Sequence, residues 1–140
     1  MKKLLTILLC CLLTAGMASA VSAAKWQFIR IVYDNPMHFD SDSLEKTGDT
    51  TYAVWLRLQL PEDQSKRLAG QQGPVSYLYT RVEFDYTRRT IKMLAGKKAD
   101  IKGKIISTET YDYNWEDIIP DTPNEVIFNV TCDYYKKNHQ

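Results

Sequence analysis

NWEDIIPDTPNEVIFNVTCDYYKK, residues Asn114 to Lys137, is the stretch on which the fold turns. It reads in two ways. Val126, Phe128, Val130, Cys132 and Tyr134 alternate with Ile127, Asn129, Thr131, Asp133 and Tyr135, the period of a strand. Val126, Ile127, Val130 and Tyr134 also recur at helical spacing. Ahead of them, Thr122-Pro123-Asn124-Glu125 has the form of a capping box. In such a box the Thr122 hydroxyl accepts from the Glu125 amide, Glu125 reaches back, and Pro123 suits the first helical position. Lys136 and Lys137 suit the negative end of a helix. Periodicity alone leaves strand and helix open. Pro120 ends any regular sheet pairing of Ile118-Ile119, because it has no N–H to give. Trp115 and the two isoleucines are expected to cover the end of the core there.

Upstream, strand patterns dominate. Residues 25–33, KWQFIRIVY, are dense in aromatic and β-branched residues, and Asp34-Asn35-Pro36 signals a turn. In residues 50–60, Tyr52, Val54, Leu56, Leu58 and Leu60 share one face; Thr51, Ala53, Trp55, Arg57 and Gln59 share the other. Residues 61–74 are polar, with Pro at both ends, and read as a surface loop with one helical turn at 63–69. Residues 75–87 alternate again, with Tyr77 and Tyr79 on the face of Arg81. Two more strands are expected at 90–95 and 101–111, with Gly96-Lys97-Lys98 and Gly103 breaking or bending them. Strands at this spacing without helical patterns between them indicate an antiparallel meander of about five to six strands.

The amino terminus carries Lys2 and Lys3, then an apolar run from Leu4 to Leu13, then Ala18-Ser19-Ala20. This is the pattern of a cleaved export signal covering residues 1–20, with cleavage as late as Ala24 also fitting. Cys10 and Cys11 leave with it. The remainder, 25–137, suits one domain. No later stretch is apolar enough to span a membrane. Of 18 basic and 17 acidic residues, loss of Lys2 and Lys3 leaves the mature chain near −1, which gives no reason to expect nucleic-acid binding.

No catalytic motif is present: there is no HExxH, GxSxG, GxxxxGK or CxxC, and the only histidines are His38 and His139. Asp40-Ser41-Asp42-Ser43 beside His38 invites a metal reading, but its spacing fails that of a calcium loop. No metal and no cofactor is expected. Charge is unevenly spread. Arg88, Arg89, Lys92, Lys97, Lys98, Lys102 and Lys104 cluster with one acid among them, while residues 109–125 hold six acids and no base. With Tyr77 and Tyr79, the basic run is the candidate binding surface for sulfated glycans, lipid headgroups or acidic matrix proteins.

Trp26, Asp40-Ser41-Asp42-Ser43, Val54-Trp55, Glu83-Phe84-Asp85-Tyr86, Trp115 to Pro120, Glu125 and Cys132 follow one another in a set order. That order resembles the surface-adhesin protein E-like family of exported Gram-negative bacterial proteins. The resemblance covers essentially the whole mature chain. It implies an α+β fold, an antiparallel sheet with a C-terminal helix packed on one face, and so a helix over 123–136. It implies a pairing of the final cysteine with one at the position of Tyr86. Here Tyr86 leaves Cys132 without that partner, and Cys132 is expected to pack as a small apolar residue. Losing a bridge across about 45 residues costs on the order of 2–4 kcal/mol, offset in part if the Tyr86 ring is buried. Trp26, Trp55, Tyr86, Trp115, Pro120, Thr122, Glu125 and Cys132 are the expected structural positions.

Function follows as an expectation: an exported, non-enzymatic binding protein of the periplasm or outer cell surface, resembling an adhesin for host matrix proteins or glycans. The alternative is a periplasmic module for a small ligand or another envelope protein, bound between sheet and helix. A cavity lined by Trp26, Trp55 and Tyr86 would favour that alternative.

Overall fold

The computed structural model describes residues 24–139. The expected export signal, with Cys10 and Cys11, lies outside the described residues. Eight strands form one antiparallel sheet. They are β1 (Trp26–Val32), β2 (Asn35–Asp40), β3 (Glu45–Lys46), β4 (Thr51–Gln59), β5 (Tyr77–Asp85), β6 (Thr90–Ala99), β7 (Ile105–Thr110) and β8 (Glu116–Asp117). The hydrogen-bonded order is β1-β2-β4-β5-β6-β7, with β3 on β4 and β8 on β6. Helix α1 (Glu62–Arg67) lies in the loop after β4, and α2 (Pro123–His139) closes the chain.

The disputed segment is a helix. Ile127, Phe128, Thr131, Cys132 and Tyr135 are its buried residues. They recur three to four apart and lie against Phe39, Tyr52, Val54, Leu56, Val82, Phe84 and Ile91 of the sheet. The apolar stripe is thus rotated from the one read in the sequence: Val130 and Tyr134 flank the core, half-buried. Aromatic contacts fix the register. Tyr52 stacks on Tyr135 at 4.8 Å, and Phe84 meets Phe128 edge-on at 5.7 Å. Thr131 is fully buried because its hydroxyl donates back to the Ile127 carbonyl at 2.8 Å, so its polar atom is satisfied.

Half of the expected capping box is present. Glu125 reaches back, but to the Asp121 amide, which Oε2 accepts at 2.9 Å. The Thr122 hydroxyl does not accept from Glu125; it donates to the Ile119 carbonyl at 2.7 Å. Asp121 has φ 63°, a left-handed corner that turns the chain back after Pro120 and brings Thr122 against the preceding residues. Trp115 and Ile119 correct another expectation. They are 40% and 65% exposed, and only Ile118 enters the core. Extended β8 sends alternate side chains to opposite sides, so Ile118 points inward and Trp115 and Ile119, at odd offsets from it, do not.

Two turns differ from their sequence signals. The β1–β2 hairpin turns at Tyr33-Asp34, with φ 48° and 65°, the mirror-image geometry that matches strand twist. Asn35 and Pro36 already pair with Val32 and Ile31; Pro36 is tolerated because β4 pairs only with Met37 to Phe39. Gly96 does not break β6, which runs on to Ala99. It is a glycine because the Tyr111 ring crosses it: a Cβ there would sit 2.4 Å from the phenolic oxygen. The register is irregular at two places: Leu94 is skipped between Arg81–Ala95 and Val82–Met93, and the pairing with β7 shifts between Lys98 and Ala99, at the end of the segment expected to bend. Gly103, at φ 82°, turns β6 into β7, where Asp100 Oδ1 accepts from the Lys102 and Lys104 amides.

Candidate functional site

The helix covers one face of the sheet and leaves the other open. Alternation assigns the open face. On β4, Tyr52, Val54 and Leu56 are in the core, so Trp55 and Arg57 point away from the helix. Register then places Arg81 beside Trp55, and Tyr79 beside both Arg57 and Lys97. On the other side, His38 lies opposite Arg57, and β1 brings Trp26 across Asp40 and Phe28 across His38.

These side chains stack cation on ring. The Arg57 guanidinium lies 4.4 Å from the Trp26 ring centre and 5.4 Å from that of Tyr77. Lys97 Nζ lies 4.7 Å over Trp55, and Arg81 is 5.9 Å from the same ring. Trp26 and Tyr79 meet at 5.7 Å. Trp26, Trp55, Tyr79, Lys97, Asp40 and Ile105 line a shallow open cavity of about 190 Å³. All of these but Ile105 are half-buried, so the rings hold the cations in place rather than leaving them on free stems. Arg81 is tied by an ion pair to Glu45. Burial and then the charge of Arg57 hold the His38 pKa below its ordinary value. Burial pushes Tyr79 up, with Arg57 opposing it.

The sequence-predicted binding residues are not brought into one patch. Tyr77, Tyr79 and Lys97 share the open face. Lys98, the next residue, faces the other side beside Leu78 and Ser107. Arg88 and Arg89 sit at one end of β6 and Lys102 and Lys104 at the other, about 30 Å apart for a ten-residue strand. Arg89 is committed to the helix, 3.0 Å from Glu125 Oε1 and 5.0 Å from the Phe128 ring. Lys92 is opposite Glu83 in the β5–β6 register. What sequence reasoning missed is Arg57, together with the part that Trp26 and Trp55 take in this face. The signal was the mixed second face of β4; the cross-strand register that joins it to β1 was not readable.

Trp26 and Trp55 do line a cavity, but on the side away from the helix, whereas Tyr86 faces α2. Its ring lies 6.2 Å from Tyr135 and 5.7 Å from Lys136 Nζ. Cys132 is buried and free, and burial raises its pKa. Among the described residues no group of His, Cys, Asp and Glu is placed to hold a metal. Asp40 instead caps the turn at Ser41–Ser43 through the Asp42 amide.

The family model for surface-adhesin protein E matches residues 26–133. The chain belongs to the surface-adhesin protein E family. Its fold is similar to the crystal structure of protein E from non-typeable Haemophilus influenzae, with a TM-score of 0.58 at 10% identity, covering 84% of this chain and 82% of that one. At that identity the likeness speaks for the fold alone. No curated protein matches the chain. Family and fold agree with the order of landmarks from Trp26 to Cys132, and with an antiparallel sheet closed by a C-terminal helix.

Proposed function

We propose that this chain is an exported, non-enzymatic adhesin-type protein that grips a sulfated glycan on the open face of its sheet. Family membership supports a surface adhesin role. The observation that carries the ligand class is the stack of Lys97 on Trp55 beside Arg57 on Trp26. Flat indole faces suit the C–H faces of pyranose rings, and the fixed Lys97 and Arg57 charges suit sulfate. A host matrix protein would meet the same surface through its acidic side chains. Location on the outer surface gives that face access to a host ligand.

The alternation of β6 supplies the test. Lys97→Ser and Trp55→Ala should each weaken heparin binding about tenfold, a loss of about 1.4 kcal/mol. Lys98→Ser, one residue away and facing the other side, should leave it within about twofold, because no stacked ring loses a cation there. Equal effects of Lys97→Ser and Lys98→Ser, or none in folded protein, would overturn the reading. Arg88→Ser with Arg89→Ser separates it from binding at the hairpin tip.

A further inference from the structure

We propose a second binding site on the helix side of the sheet, for a small organic cation with an apolar body. It is independent of the glycan reading, because the sheet lies between the two surfaces. Helix α2 starts only at Pro123 and first enters the core at Ile127. Part of the sheet face beyond its first turn therefore stays uncovered. Two adjoining cavities of about 210 and 470 Å³ lie there, sharing Met37, Glu116, Asn124 and Ile127. Their floor is apolar: Leu56, Val82 and Met93 in one, Val32 and Leu58 in the other. The two methionines give the floor a surface that adapts to shape.

Charge selects the occupant. Neither cavity is lined by any Lys, Arg or His, while Glu116 lines both and Asp117 lines the larger. Both carboxylates are exposed, and neither has an ion pair or a side-chain hydrogen bond among the described residues. Arg89, whose carbonyl accepts from the Ile118 amide next to these carboxylates, has its guanidinium engaged with Glu125. Tyr113 lines the smaller cavity and is braced by stacking on Tyr111 at 5.0 Å, nearly parallel at 7°. An apolar floor, a braced phenol ring and the unpaired Glu116 carboxylate, with Asp117 adding negative charge at the rim of the larger cavity, are the set that receives an alkylammonium: the chain lies on Met37 and Met93, and the charge meets Glu116 and the ring of Tyr113. A carboxylate or phosphate amphiphile would bring like charge to the rim and be rejected.

The probes are octyltrimethylammonium, octanoate and octanol, titrated into the mature chain and followed by amide chemical shifts. The ammonium should give saturating shifts at Met37, Met93, Glu116 and Ile127, and bind about tenfold tighter than octanoate. In the double variant Glu116→Gln with Asp117→Asn that preference should fall to about twofold, while the spectrum elsewhere shows the fold kept. Both positions are exposed, so the substitutions spare the core. Met93→Trp, which fills the floor, should weaken the ammonium and octanol alike. Equal binding of ammonium and octanoate by the native chain would overturn the proposal. So would shifts confined to Trp26, Trp55 and Lys97, or no saturation at millimolar probe.

Discussion

The Tyr52 hydroxyl lies 2.9 Å from the Thr131 hydroxyl, and both side chains are fully buried. This is the polar clasp between sheet and helix. Because the Thr131 hydroxyl gives its proton to the Ile127 carbonyl, the Tyr52 hydroxyl donates to Thr131. Burial drives the Tyr52 pKa upward, so the clasp stays neutral.

The direction of donation makes the two deletions unequal. Tyr52→Phe leaves Thr131 still bonded to its own helix and should cost about 1 kcal/mol; Thr131→Val strands a buried phenol and should cost about 2 kcal/mol. Urea midpoints read the difference. Equal losses would mean that the phenol finds another acceptor.

Gly96 and Tyr111 form the second coupled pair. Gly96→Ala should destabilise by about 1 kcal/mol, because its methyl meets the Tyr111 ring. In a Tyr111→Ala background the same change should be nearly neutral, a coupling that a double-mutant cycle detects. A penalty that persists without the ring would place the cause in the backbone.

His38 sets a pH window. Its folded pKa lies below the ordinary 6.5, through burial first and then the charge of Arg57 facing it from β4. The unfolded chain therefore takes a proton before the folded one does, and stability present above pH 6.5 is lost as pH falls from there through the folded value. Urea midpoints at pH 7.5 and 5.5 should differ in the native chain, and the difference should shrink in His38→Gln. An unchanged difference would assign the loss to carboxylates.

Tyr86 and Cys132 test the missing bridge. Tyr86→Cys should form a disulfide with Cys132 on oxidation, since the Tyr86 ring already lies against the helix turn after Cys132. Comparing oxidised with reduced forms of that variant, the bridge should contribute up to about 4 kcal/mol by loop closure. Failure to cross-link would show that the two positions do not face each other.

The core was largely legible because it depends on alternation, which is local. Tyr52, Val54 and Leu56 could be assigned to one face from the residues beside them. The helix was not legible from periodicity, since 126–135 satisfies both periods; the order of landmarks decided it. Thr122 was misread because the left-handed turn at Asp121 is set by the chain's return after Pro120, not by the box itself. Of the candidate site, Tyr77, Tyr79 and Lys97 were found because they belong to strong strands. Arg57 and Trp26 were not, because they meet only through the β1-β2-β4 order, which no spacing reveals. Seven basic residues close in sequence suggested one patch, yet a single long strand carries them to two ends and two faces.

Cys132 has one further consequence. Its sulfur is seated in the core without a disulfide partner among the described residues, so closing the helix onto the sheet asks nothing of an oxidant. The domain should assemble alike in a reducing cytoplasm and in an envelope that oxidises thiols, and dithiothreitol should leave it intact. Compartment then governs which molecules the protein meets, and redox poise has no hold on its architecture.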